Sequence, residues 1–215
     1  MQKFNLNFKY PCSLIFIGAR KSGKSCMTKQ LLIQKRGIME NHDYCFVFTL
    51  GVNREFFESF VKPEHIFSGL DTTWLDSLKG IQEKIKNSGR ALPRVCIILD
   101  DLLSDRRQRN SCYVESLYST CRHYNMTIVA LAQSCSYMKP LLRQSEFIFL
   151  FPSSIFLRAD KQFLFDDILS NFKMDKEACE KMFRDSPLYL AIVCDQYSST
   201  RELSWFMASK KMIDY

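Results

Sequence analysis

A chain of 215 residues, 47% of them apolar, is long enough to bury one sizeable core, so residues 1–215 are expected to form a single domain. Seven glycines and six prolines leave little for linkers or low-complexity arms, and no solenoid-length repeat is present. The formal charge of +7 admits a polyanionic partner, but it forms no dense block, and the short clusters at Lys35–Arg36, Arg106–Arg109 and Lys210–Lys211 read equally well as solvated surface.

From the N-terminus, Met1–Tyr10 alternates polar and apolar residues and lacks the apolar core of a signal peptide. The first strand is expected at Ser13–Ile17, followed by a helix over Lys24–Gln34 and a strand at Tyr44–Thr49. Asn53–Phe60 and Glu64–Phe67 are short enough for tertiary context to decide. A helix over Thr73–Asn87, a strand at Val95–Leu99, a helix over Arg107–Tyr124 and a strand at Thr127–Ala132 follow. The chain then reads as a strand at Phe147–Phe151, helices over Asp160–Asn171 and Lys176–Arg184, and a strand at Leu188–Val193. Several strands are apolar on successive residues, as in a sheet covered on both faces. Strands interleaved with helices imply a mainly parallel sheet, an α/β three-layer sandwich.

The apolar stretch Phe147–Leu157 is broken by Pro152, Ser153 and Ser154 and is too short to span a bilayer, so a soluble intracellular protein is expected. The nine cysteines are odd in number and include no Cys-x-x-Cys. They read as small buried hydrophobes in a reducing compartment rather than a zinc or disulfide framework.

Residues Gly18-Ala19-Arg20-Lys21-Ser22-Gly23-Lys24-Ser25 match G-x-x-x-x-G-K-[ST] in full. The two glycines let the backbone curl close to a phosphate, and the successive N–H groups, with that of Cys26 at the helix start, face the anion. Lys24 is placed to neutralise β- and γ-phosphates, and the Ser25 hydroxyl to ligate Mg²⁺. A chance match in a chain of this length is roughly a one-in-a-hundred event, and the setting of apolar strand, loop and helix is the one the motif requires.

Downstream, Val95–Leu99 runs into Asp100 and Asp101. An acid at the end of a neighbouring strand positions Mg²⁺ in P-loop enzymes, which is the role expected of Asp100. Asp101 is then placed to orient the attacking water. The competing use of such acids is as caps of a following helix.

The segment Cys121-Arg-His-Tyr-Asn-Met-Thr-Ile-Val-Ala-Leu-Ala-Gln133 makes the resemblance specific. With the two preceding motifs it resembles the FtsK/HerA superfamily. It is particularly similar to the poxvirus-type genome-packaging ATPases of large DNA viruses, virophages and related elements, over about Ser13 to Phe151. The resemblance implies that Gln133 is a sensor of the γ-phosphate or its attacking water, using an amide that both donates and accepts. Arg122 is a candidate arginine finger acting on a neighbouring subunit, with Arg143 as the alternative and Arg158 a more distant one. Arg122 reads equally as a helix-end cation; His123 is assigned no chemistry.

The implied function is an ATP-hydrolysing motor that moves double-stranded DNA into a viral capsid. It implies a homo-oligomeric ring, pentamer or hexamer, capsid partners, Mg²⁺ as cofactor, and work in the host cytoplasm, viral factory or virion. Ser104–Asn110, with Arg106, Arg107 and Arg109, is the expected DNA-facing loop. The alternatives are another P-loop NTPase, such as a small-molecule kinase or a regulatory NTPase, or a capsid protein with a degenerate site. No Asn-Lys-x-Asp guanine motif and no arginine-rich lid are found.

Overall fold

The computed structural model describes residues 1–215 except 5–7, 35–36, 51–52, 103–110, 136–137 and 209–215. In chain order the described strands are β1 (Gln2–Lys3), β2 (Ser13–Ile17), β3 (Tyr44–Thr49), β4 (Ile66–Ser68), β5 (Val95–Asp100), β6 (Met126–Ala132), β7 (Phe147–Leu150), β8 (Leu190–Asp195) and β9 (Ser204–Met207). The α-helices are α1 (Lys24–Ile33), α2 (Arg54–Glu58), α3 (Thr72–Asn87), α4 (Ser111–Thr120), α5 (Lys139–Gln144), α6 (Arg158–Asp167) and α7 (Lys176–Asp185). The chain groups into two compact units, one of Met1–Asn7, Leu14–Leu31 and Leu131–Tyr215, the other of Phe8–Ser13 and Leu32–Ala130.

In the first unit the strands lie in the order β1-β9-β8-β7-β2. β2 runs parallel to β7 with Leu14 opposite Phe147, and every residue of both strands is buried. Phe16 and Phe149 are partners in that register and stack with ring centroids 4.5 Å apart, and Phe4 meets Phe149 edge-on. β8 is antiparallel to both β7 and β9, so this side of the sheet departs from the parallel pattern. α7 starts on Asp175, whose carboxylate accepts the Ala178 N–H at 2.7 Å, an N-cap worth about 0.5–2 kcal/mol over alanine.

In the second unit the order is β6-β5-β3-β4. β3 is parallel to β5 and to β4, and the β3–β5 register sets Cys45 against Cys96 and Thr49 against Asp100. Phe46, Phe48, Phe67 and Trp74 form an aromatic cluster where α3 covers the sheet. α3 begins on Asp71, which accepts the Trp74 N–H at 2.9 Å, and Gly89 follows its end with φ +73°. Burial is the fate of seven cysteines; Cys26 is half-buried and Cys112 exposed.

Three elements differ from the sequence reading by more than one residue at a boundary. The helix expected over Arg107–Tyr124 is α4 followed by a 3-10 turn at Cys121–Tyr124; residues 103–110 lie outside the described residues. The helix expected over Asp160–Asn171 starts earlier and ends at Asp167, because Ile168 leaves the helical region before a 3-10 turn at Leu169–Phe172. The last expected strand begins at Leu190 because Tyr189 has a positive φ. No described helix is long and apolar enough to cross a membrane.

Candidate functional site

The loop between β2 and α1 holds the predicted phosphate-binding residues in the first unit. Gly18 is buried, and its N–H donates to Ala132 O of the same unit at 3.1 Å. A Cβ on Gly18 would stand 2.6 Å from Ser154 Oγ, 2.8 Å from Ser22 Oγ and 2.9 Å from Phe151 Cβ. Gly23 has φ +99°, and a Cβ there would stand 2.8 Å from Tyr189 Cδ1. Both glycines are therefore required by space, and the second also by backbone conformation.

Lys24 is only 7% exposed, and its Nζ donates to Gly18 O at 2.6 Å and Ala19 O at 2.9 Å, so the ammonium lies within the loop's own curl. Arg20 and Lys21 are exposed, Lys21 with φ +62°. The Ser22 hydroxyl is buried without a hydrogen-bond partner among the described residues, which suits a loop whose polar atoms turn towards a ligand. Ser25 and Cys26 lie half-buried in the first turn of α1. Burial raises the Cys26 thiol pKa against the opposing pull of Lys29.

Also in the first unit, Gln133 directly follows β6 and is half-buried. The loop it opens is anchored by buried Asp160 of α6, which accepts from Ser134 Oγ at 2.9 Å and Cys135 N–H at 3.4 Å. Arg143, on the last turn of α5, is exposed and forms an ion pair with Asp167. Arg158 is exposed at the start of α6.

In the second unit, Asp100 ends β5 and is 1% exposed. Thr49 Oγ1 at 2.9 Å and Asn53 Nδ2 at 2.8 Å both donate to its Oδ2, which fixes the carboxylate plane. Asp101 has φ +52°, so the chain turns sharply after Asp100 and does not continue the strand. Arg122 is exposed in the 3-10 turn before β6. Asn125 closes that turn in the left-handed region, gives its Nδ2 to Leu92 O, and accepts the Val95 N–H. Arg122 therefore sits beside the start of β5 while Asp100 ends it, roughly 17 Å away at about 3.3 Å per residue. The length of β5 thus separates Arg122 from Asp100 of its own chain. The predicted DNA-facing loop, Ser104–Asn110, lies outside the described residues.

Mg²⁺ prefers hard oxygen donors. The Ser25 hydroxyl and the plane-locked Asp100 carboxylate supply that chemistry, each in its own unit. Residue type pointed to Gly18–Ser25, Asp100 and Asp101, and the family resemblance added Gln133. Thr49, Asn53, Ser154, Asp160 and Tyr189 escaped it, and only Thr49 left a trace, as the single hydroxyl ending an otherwise apolar strand.

A parallel strand, a glycine loop with no room for side chains and a lysine folded into it define an α/β P-loop protein. Several solved structures share this fold. B204, the DNA-packaging ATPase from Sulfolobus turreted icosahedral virus, aligns with TM-score 0.64 and 15% identity over 94% of this chain and 100% of that one. The genome packaging NTPase B204 of Sulfolobus turreted icosahedral virus 2, in complex with ATP-gammaS, aligns with TM-score 0.61 and 15% identity over 92% and 98%. EssC (ATPases 2 and 3) from Geobacillus thermodenitrificans aligns with TM-score 0.63 and 11% identity over 94% of this chain and 40% of that one. At these identities the likeness is one of fold.

The chain belongs to the Poxvirus A32 protein family, whose family model matches residues 1–151. It is also 28% identical over 154 residues to uncharacterized protein 015R of Frog virus 3 (isolate Goorha), an alignment of 70% of this chain and 47% of that protein. The chain thus spans about half the length of the curated relative it matches.

Proposed function

We propose that this chain is an ATPase motor that translocates double-stranded viral DNA into a capsid, with residues 1–215 working as one ATPase domain. The observation that carries the reading is the phosphate loop, in which neither Gly18 nor Gly23 has room for a Cβ and Lys24 Nζ lies among the loop carbonyls. Family membership and the fold shared with a DNA-packaging ATPase support DNA as the polymer moved.

In this reading Gly18–Cys26 form the nucleotide-binding loop, whose N–H groups beyond Ala19 receive the phosphates, and Lys24 exchanges its carbonyl acceptors for β- and γ-phosphate oxygens. Ser25 and Asp100 hold Mg²⁺, which neutralises phosphate charge when bound. Thr49 and Asn53 keep the Asp100 carboxylate in its plane. Asp101 orients the attacking water and Gln133 contacts the γ-phosphate or that water. Arg122 completes the site of a neighbouring subunit in a pentameric or hexameric ring, as its place far from Asp100 favours; Arg143 is the alternative and must first leave Asp167. Capsid proteins are the further partners, and the work is done in the host cytoplasm or viral factory, extending to the virion.

The test is ATP hydrolysis with and without duplex DNA. Hydrolysis is expected to rise with DNA, to lose that stimulation as salt is added, and to vanish in Lys24→Ala. Efficient phosphorylation of a small molecule, indifferent to DNA, would overturn the motor in favour of a kinase. In mixed rings, Arg122→Ala subunits that support hydrolysis as well as wild type would transfer the finger to Arg143.

A further inference from the structure

The two ends of the phosphate loop are held by side chains from beyond residue 151, where the family match stops. At the first end stands Ser154, buried in the 3-10 turn Pro152–Ser154 after β7. Its hydroxyl accepts the Ala19 N–H at 3.1 Å and donates to Phe151 O at 2.8 Å. The same oxygen fills the space a Cβ on Gly18 would need, 2.6 Å away. Ser154 therefore fixes both the height and the direction of the loop's first turn.

At the other end stands Tyr189. Its Cδ1 lies 2.8 Å from where a Gly23 Cβ would be, and its own Cα and Cβ lie 3.6 Å from that point. Tyr189 has φ +64° immediately before β8, a conformation that bulky residues adopt only when their surroundings hold them there. The Ala208 N–H donates to Tyr189 O at 3.3 Å and helps to hold it. Glycine or asparagine would make this turn without strain. An aromatic ring stands there instead, against the glycine whose own positive φ aims the Lys24 backbone.

We propose that Ser154 and Tyr189 are positioning residues that clamp the two ends of the phosphate loop in its anion-binding shape before any phosphate arrives. The inference rests on the reading of Gly18–Ser25 as a phosphate site. A glycine-containing loop left to itself would lose conformational freedom on binding, and that loss weakens affinity. A loop already held at both ends loses less. The clamp touches the loop and not the nucleoside, so its effect must be the same for any ligand that offers a polyphosphate.

The experiment compares ATP with inorganic tripolyphosphate, by calorimetric titration of the full chain as wild type, Tyr189→Gly, Tyr189→Phe and Ser154→Ala. Tyr189→Gly suits the left-handed backbone, so its folding is expected to be undisturbed and its melting temperature unchanged or higher. It should nevertheless bind both ligands about tenfold more weakly, by a common factor, as should Ser154→Ala. Tyr189→Phe keeps the ring and should stay within about twofold of wild type, a rescue that separates bracing from the phenol's chemistry. Unchanged affinities in Tyr189→Gly and Ser154→Ala would overturn the clamp. So would a loss confined to ATP, which would make the ring a surface for the nucleoside. A wild-type chain that binds neither ligand would overturn the phosphate-site reading, and the clamp with it.

Discussion

Gly23→Ala adds one methyl group at the most crowded turn of the phosphate loop, and its effect follows from two separate costs. The first is conformational: an alanine at φ +99° sits outside the regions open to L-residues, at about 1–3 kcal/mol. The second is steric. The 2.8 Å gap between the new methyl and Tyr189 Cδ1 must open to an ordinary carbon–carbon contact of about 3.5–4.0 Å, so the ring moves by roughly 1 Å. The tyrosine's Cα, 3.6 Å from the same point, cannot follow without unwinding its own positive-φ turn. Overpacking of this kind adds about 1–3 kcal/mol, for about 2–6 kcal/mol together. If the loop keeps its shape, the folded state carries the whole cost, and the melting temperature falls by at least about 4 °C for a domain of this size. If the loop relaxes, stability is spared and phosphate affinity falls by roughly 30-fold or more. Scanning calorimetry and nucleotide titration on one preparation capture both routes. Gly80→Ala is the control: Gly80 lies within α3 with nothing within 4 Å of its would-be Cβ. That change should gain about 0.5–1 kcal/mol. A Gly23→Ala protein within about 1 °C and about twofold of wild type in both measurements would refute the argument.

Two further outcomes are expected. Thr49→Val keeps the β-branched shape but removes a donor to Asp100 Oδ2, so it should lower stability by about 1–3 kcal/mol and reduce kcat more than it raises KM; denaturant midpoints and steady-state kinetics check both. His42 has a pKa lowered below 6.5, first by burial. Its ring nitrogens lie 2.6 Å from Ile38 O and 2.7 Å from Thr127 Oγ1. The neutral tautomer that donates to Ile38 and accepts from Thr127 satisfies both contacts. Because the unfolded chain takes up the proton first, the stability due to His42 is full above pH 6.5 and is lost as pH falls through the lower folded value. His42→Gln should flatten the fall in denaturant midpoint on that acidic side; an unchanged slope would count against the buried neutral ring.

What could be read from the sequence depended on where the controlling interaction lies. Ser13–Ile17 and Tyr44–Thr49 form strands with the expected bounds because their apolar runs are themselves the cause of burial on both faces. β1 and β9 gave no such signal: they are parallel partners of one another, and that pairing defines β1. Ile168 ends α6 although the apolar pattern continues past it, and Tyr189 delays β8 although an aromatic residue favours a strand. The same division holds in the site. Gly18, Gly23 and Lys24 announce themselves because few other residue types can do their work. Ser154 and Tyr189 gain a role only from standing beside them, and no local pattern marks a serine after Pro152 as the acceptor for a backbone N–H far earlier in the chain.

The support around the loop also explains how a buried lysine can remain ready to act. A lysine that is only 7% exposed would be costly without partners for its ammonium, and here carbonyl oxygens at 2.6 and 2.9 Å compensate it. Both carbonyls belong to the loop's first turn, the one Ser154 fixes through Ala19 N–H. If that turn were loose, the carbonyls could follow Lys24, and its charge would have no defined alternative position. With the turn held, transfer of Nζ to a polyphosphate exchanges two neutral acceptors for anionic ones, which form stronger hydrogen bonds. The gain grows with the number of phosphate oxygens within reach. A clamped backbone and a swinging side chain therefore favour a triphosphate over a monophosphate without any contact to the base, and Ser154→Ala should narrow that preference as well as weaken binding.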